Sequence, residues 1–246
     1  MSAQLLFQTQ DSWGPIEVSE EGAIRKLSFG PGDEQSRQDK RHPHLPEHEY
    51  IQGMLLALLF KQPKNAMILG LGAGCLVSAL HHAVPGIKIT AVELRAAVID
   101  IAKRFFRLPH GKKITLINDD AVIFIQQNQH KKVDLLFADI YHAEGVDHAQ
   151  LRNDFLQHCR SQLKADGILV LNCWHEHSEN HDFAAALRAN FPYLYGCHVS
   201  SGNWIVFASQ ANIAIQLDQS KSAAQQLKQV SDIDLTRLLN QLKNIC

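Results

Sequence analysis

Five short stretches of this chain are largely apolar from end to end: Ala66–Leu71, Ile87–Val92, Ile114–Ile117, Val133–Ala138 and Ile168–Leu171. Stretches with apolar residues at helical spacing separate them: Leu76, Val77 and Leu80, then Val98, Ile101, Ala102 and Phe105, then Ala121–Gln126 and Leu151–Leu163. A strand with one wet face alternates polar and apolar residues, whereas one apolar on both sides must be covered on both faces. Alternation with helices makes that a parallel sheet between two helical layers. The pattern predicts an α/β fold.

The flanks read differently. Leu5–Gln8, Ile16–Ser19 and Ile24–Phe29 are strand-like pieces broken by Gly14-Pro15 and Glu21-Gly22, and Gly30–Glu49 reads as a long loop. A helix follows on Ile51, Met54, Leu55 and Leu58. Near the end, Leu194–Val199 and Trp204–Ala208 flank Ser200-Ser-Gly-Asn203, a hairpin signal. Ser220–Cys246 reads as two amphipathic helices, the second capped by Ser231 or Asp232. The expected organisation is a β-region and loop over 1–46, an α/β domain over 47–209 and a helical tail over 210–246.

Hydrophobic residues make up 46% of the 246, enough for a sizeable core, and the formal net charge is −1. That balance argues against a protein held on nucleic acid by counterion release. Lys103, Arg104, Arg107, Lys112 and Lys113 read as a solvated helix face and loop. The start has no basic, apolar export signal, and the longest apolar stretch, Met54–Phe60, is too short to span a bilayer. Five cysteines without paired spacing suit free thiols in a reducing compartment. A cytoplasmic protein with no membrane partner is expected.

Four signals fall at strand ends, where open α/β sheets bind ligands. Gly70-Leu-Gly-Ala-Gly74 follows a strand and precedes a helix; Gly70, Gly72 and Gly74 would let the backbone approach a ligand closely, or simply make a tight turn. Glu93, with Leu94 beside it, ends the next strand, where a carboxylate can accept from both ribose hydroxyls. Asp119-Asp120-Ala121 ends the third; a carboxylate there can meet an adenine amino group, or cap the helix that follows. Asp139, in Asp139-Ile-Tyr141-His142, ends the fourth and could position or deprotonate an acceptor.

The run from about Glu47 to Ser209 resembles the spermidine synthase family, a branch of the class I methyltransferase-like fold. The resemblance rests on Val92-Glu93-Leu94, Val98-Ile99, Lys103–Pro109, Asp120, Leu163-Lys-Ala-Asp-Gly-Ile168 and Tyr50-Ile-Gln-Gly-Met54. It implies a Rossmann-like, seven-stranded, mostly parallel sheet with a terminal antiparallel hairpin, a small N-terminal β-region and C-terminal helices. It also implies a donor that is S-adenosylmethionine or its decarboxylated form, held by Gly70, Gly72, Gly74, Glu93, Leu94, Asp119, Asp120 and Ala121. Asp139 would be the catalytic group, with Tyr141 assisting. The acceptor would be a small amine or other nucleophile, and a homodimer is possible within the family.

Three positions depart from that pattern. Cys75, His142 and the neighbourhood of Val199 stand where the family places an aspartate, a second aspartate and a tyrosine that handle cationic amines. The resemblance therefore implies an alkyl-group transferase with its nucleoside site kept and its polyamine site changed. The alternatives are an S-adenosylmethionine-dependent methyltransferase and a non-catalytic nucleoside-binding protein. Cys173, His175, His177 and His181 match no established metal-ligand spacing, so no metal is expected, and Trp174 beside them is read as lining the pocket mouth or packing on the tail.

Overall fold

The computed structural model describes residues 3–30, 32–142, 145–213 and 217–245. The chain opens with a four-stranded antiparallel sheet in the order β1-β2-β3-β4: β1 Gln4–Asp11, β2 Gly14–Glu21, β3 Ile24–Ser28 and β4 Glu34–Asp39. Ile16, Val18 and Leu27 point inward and are fully buried. The fourth strand lies inside the stretch expected to be loop. It has no apolar residue, so no hydrophobic period marks it. It forms because its backbone pairs with β3 from Ile24↔Asp39 to Ser28↔Glu34. Its inward side chains are polar and tied to distant backbone: Ser36 Oγ accepts from Ala73 N at 3.0 Å, and Gln38 Nε2 donates to the Phe106 carbonyl at 2.9 Å.

Helices α1 (Glu49–Leu55) and α2 (Ala57–Phe60) lead into the main sheet. Then β5 (Asn65–Leu69), α3 (Cys75–Ala83), β6 (Lys88–Glu93), α4 (Ala96–Phe105), β7 (Ile114–Asn118), α5 (Ala121–Gln126) and β8 (Val133–Ala138) alternate as expected. A two-residue hairpin, β9 (Tyr141–His142) with β10 (Gly145–Val146), follows, and then α6 (Asn153–Gln162) and β11 (Leu163–Trp174). Strand β11 is much longer than its apolar run. An irregularity between Leu163 and Ile168 absorbs the polar Ala165-Asp-Gly167.

Helix α7 (His181–Asn190), which the sequence reading did not include, packs through Phe183 and Leu187. Its start is capped by Asn180, whose side chain accepts from Phe183 N at 3.0 Å. The antiparallel hairpin is β12 (Tyr193–His198) and β13 (Asn203–Ser209). The tail holds α8 (Leu217–Ser231), α9 (Thr236–Leu239) and β14 (Lys243–Asn244).

The main sheet runs β14-β12-β13-β11-β8-β5-β6-β7, parallel from β11 through β7. It carries an eighth strand beyond the seven expected. Lys243 and Asn244 pair with Gly196 and Tyr195, covering part of an edge that β12 would otherwise expose. Neighbouring residues of one strand enter opposite cores. Ile68, Phe137 and Val170 join one apolar cluster, and Met67, Leu69, Leu136 and Leu171 the other. That is the two-sided coverage the apolar runs demanded.

The second tail helix is not capped by Ser231 or Asp232. Ser231 Oγ donates back to the Leu227 carbonyl, and Asp232, at φ +59°, ends α8. Asp234 instead accepts from Thr236 N at 3.0 Å. Among the described residues no helix is long and apolar enough to cross a membrane.

Candidate active site

A cavity of about 740 Å³ opens where β5, β6 and β8 end, with the N-terminal sheet as its opposite wall. The β5–α3 loop forms its floor. Gly70 has φ +94°, and a side-chain carbon there would sit 2.1 Å from the Asp139 carbonyl oxygen. Asp139 N also donates to the Leu69 carbonyl at 2.8 Å. The two strand ends therefore touch backbone to backbone, which only glycine permits. Gly70 and Gly72 lie on the cavity wall. Gly74 does not; it sits at φ +79° as the N-cap of α3, pressed against the side chain of Leu108.

Glu93 is buried at the end of β6. Its Oε2 accepts from Leu71 N at 3.0 Å and Gly72 N at 3.4 Å, and its Oε1 from Arg95 N at 3.0 Å. The carboxylate thus braces the glycine loop while facing the cavity. Desolvation by burial raises its pKa against these hydrogen bonds. Leu94, Asp120 and Ala121 share its wall. Asp120 also caps α5, its Oδ1 accepting from Val122 N at 2.8 Å and Ile123 N at 3.0 Å. Asp119 is off the wall, turned to accept from Asp120 N.

Asp139 has the most elaborate setting. Asn172 Nδ2 donates to its Oδ1 at 2.8 Å, and the Tyr50 hydroxyl hydrogen-bonds to the same carboxylate. Asn172 Oδ1 accepts from Asn203 at 3.0 Å, and Asn203 reaches the Tyr141 hydroxyl at 3.3 Å. The main-chain carbonyl of Asn172 accepts from Gln150 at 2.8 Å. Burial pushes the Asp139 carboxyl up to about 6, the Asn172 and Tyr50 bonds opposing and the Glu93 charge adding to it. Burial also raises the Tyr50 and Tyr141 phenols, which stay protonated as donors. A carboxylate poised near neutrality can hold an ammonium or accept its proton.

Asn172 and Asn203 were not singled out from the sequence. Asn172 had a signal: it is the polar residue that follows the apolar run Ile168–Leu171, and it is 1% exposed. A buried amide must find partners, and these two find Asp139 and Tyr141.

At the departures from the family pattern, Cys75 is buried on the cavity wall, its thiol pushed up to about 12 by burial and so neutral. Val199 is off the wall, packed near Gly53. The side chain of His142 lies outside the described residues. Acidic residues outnumber basic ones among the described residues of the wall: Asp33, Glu34, Glu93, Asp120, Asp139 and Asp147 line it with Arg95 and His48, Glu34 being paired from behind with Arg37 at 2.8 Å and Arg95 with Asp11 at 2.8 Å. Such a wall favours a cationic ligand. No three His, Cys, Asp or Glu side chains among the described residues are grouped to hold a metal. Cys173 points into the core, whereas Trp174 lines the cavity mouth, 38% exposed.

The model of the spermine/spermidine synthase domain matches residues 44–219, the segment that carries the floor of this cavity. The chain belongs to that family. A polyamine aminopropyltransferase of Neisseria meningitidis is 31% identical over 234 residues, covering 93% of this chain and 89% of that protein. A probable spermidine synthase from Corynebacterium glutamicum superposes with a TM-score of 0.75 at 17% identity, over 93% of this chain and 88% of that one. Human methyltransferase-like protein 13, solved in complex with SAH, superposes at 0.67 with 21% identity, over 75% and 93%. The two structures show a shared methyltransferase-like fold. Within the spermine/spermidine synthase family, then, this member carries a neutral thiol at Cys75 and an asparagine pair behind Asp139.

Proposed function

We propose that the chain is an alkyl-group transferase that takes its group from an adenosyl-sulfonium donor, S-adenosylmethionine or the decarboxylated form, and passes it to an amine or similar small nucleophile. The observation that carries this reading is Asp139, held by Tyr50 and Asn172 in the same cavity as Glu93. Glu93 would take the ribose hydroxyls, and Leu94, Asp120 and Ala121 the adenine end. The acceptor's lone pair attacks the carbon on sulfur in line. The C–S bond breaks, its electron pair stays on sulfur as a neutral thioether, and Asp139 takes the proton the acceptor sheds.

Glu93 is tested by calorimetry with methylthioadenosine and S-adenosylmethionine. Charge-assisted hydrogen bonds to ribose are worth roughly 1.5–3 kcal/mol each, so Glu93→Ala should weaken binding at least about tenfold. Glu93→Gln keeps the shape and separates lost recognition from a loosened loop. Unchanged affinity in both variants removes Glu93 from the site.

The donor and acceptor are tested together with decarboxylated S-adenosylmethionine and putrescine, spermidine being measured by chromatography. A neutral, desolvated thiol at Cys75 offers an ammonium no charge partner, so turnover should be weak. Methyl transfer from S-adenosylmethionine with no aminopropyl transfer would assign the site to methyl chemistry. Efficient spermidine formation would show that other carboxylates on the wall replace the lost one.

A further inference from the structure

Asp139 is held by groups from two separate segments. Tyr50 comes from α1, and Asn172 is itself gripped by Asn203 at the start of β13. One carboxylate off the cavity wall, Glu49, belongs to the first segment and grips the second. It is the first residue of α1, immediately before Tyr50, and its Oε2 accepts from Ser200 N at 2.5 Å and from Ser200 Oγ. Ser200 lies in the turn between β12 and β13 that carries Ser201 and Asn203 to the wall. One turn further along α1, a side-chain carbon on Gly53 would sit 3.2 Å from Val199 and 3.0 Å from Ile205, so helix and hairpin meet closely.

The other oxygen of Glu49 is taken by the tail. Arg237, in α9, donates through Nη2 to Glu49 Oε1. The Glu49 side chain is 12% exposed and that of Arg237 63%. An exposed cation contributes little stability by itself. A carboxylate with both oxygens engaged has its orientation fixed, however, and here that orientation puts Oε2 on Ser200. The apolar contact of Gly53 with Val199 and Ile205 is non-directional and cannot set how the hairpin sits relative to Tyr50. Charge-assisted hydrogen bonds can.

We propose that Glu49 is the positioning residue for Asp139: it locks α1 to the β12–β13 hairpin so that Tyr50 and the Asn203–Asn172 pair meet one carboxylate, and Arg237 of the tail holds it in that orientation. This rests on the reading of Asp139 as the group that handles the acceptor; Glu49 itself touches no ligand. Burial pushes the Asp139 carboxyl up to about 6, and the Asn172 and Tyr50 bonds keep it from going higher. The titratable groups facing it are Tyr50 from α1, Cys75 from α3, Glu93 from β6 and Tyr141 from β9. Burial keeps the two phenols and the thiol protonated, which leaves Glu93 as the neighbour whose charge adds to the rise. Loosening the Glu49 lock therefore moves the Asp139 carboxyl further up.

The test follows the Asp139 carboxyl by NMR in the full chain carrying carboxyl-labelled aspartate, its signal assigned by its loss in Asp139→Asn. The wild type should titrate near 6. Glu49→Ala should titrate with a midpoint about 0.5–1 higher on the pH scale, as the two hydrogen bonds lose part of their hold on the charged form. Glu49→Gln keeps an oxygen for Ser200 N but offers Arg237 no charge, so it and Arg237→Ala should each give a smaller rise, with Arg237→Lys close to the wild type. Arg237→Ala should add nothing in the Glu49→Ala background. Methylthioadenosine affinity, read by calorimetry, should stay within about twofold throughout. An unmoved Asp139 titration in Glu49→Ala overturns the proposal. If that variant does not fold, an unmoved titration in both Glu49→Gln and Arg237→Ala overturns it instead. A rise in Glu49→Ala with none in Arg237→Ala overturns the role of the tail. A folded wild type that binds neither methylthioadenosine nor S-adenosylmethionine overturns the donor reading, while the titration still decides the role of Glu49.

Discussion

Asp139→Asn should lower turnover by about 10²–10⁴-fold while nucleoside affinity stays within about twofold. The asparagine keeps the shape and can still accept from Asn172, while its amide can donate to the Tyr50 oxygen. What it loses is the charge that holds an ammonium and the basicity that accepts a proton. The pH dependence gives an independent check. Burial pushes the Asp139 carboxyl up to about 6, so kcat/KM of the wild type should climb with pH through about 6 and level above it. Stability should move the other way. The native carboxyl keeps its proton to higher pH than the unfolded one, whose ordinary value is 3.8. Between those values the native state binds more protons, so its stability falls as pH rises, and the asparagine variant escapes that fall. At neutral pH Asp139→Asn should therefore melt no lower than the wild type while being nearly inactive. A variant with the wild-type rate would exclude Asp139 as the base, and one that melts much lower would make the residue a structural brace.

Gly70→Ala should cost about 3 kcal/mol or more, read as a lower denaturant midpoint with an unchanged slope. The left-handed backbone alone costs an alanine roughly 1–2 kcal/mol. The added methyl carbon would also sit 2.1 Å from the Asp139 carbonyl oxygen, and neither backbone can give way alone, because Asp139 N is bonded to the Leu69 carbonyl. Any relief must pull the ends of β5 and β8 apart and carry Asp139 with them. Gly74→Ala should cost less, since the atom it meets is Leu108 Cδ1, which can rotate away. Equal costs at the two positions would contradict the close approach of the strand ends.

The sequence alone carried whatever a short window can express. Apolar runs alternating with helical stretches specified a parallel sheet covered on both faces, and strand ends then located Gly70, Gly72, Glu93, Leu94, Asp120, Ala121 and Asp139, which the structure gathers on one cavity wall. The same logic could not tell a lining residue from its neighbour. Asp119 and Gly74 have the right residue types, yet a turned side chain and a Leu108 contact take them off the wall. Only the tertiary structure decided what depends on partners distant in the chain. β4 is a strand because β3 is there to pair with it, and its inward Ser36 and Gln38 hydrogen-bond to backbone 37 and 68 residues away. Asn172 reaches Asp139 across 33 residues, and Arg95 reaches Asp11 across 84. Hydrophobic periodicity records which face of an element is buried; a hydrogen bond or ion pair between distant residues imposes no period on either segment. The core and the strand ends were therefore written locally, and the polar framework that aims Asp139 and ties Arg95 to Asp11 came into being only when the chain closed on itself.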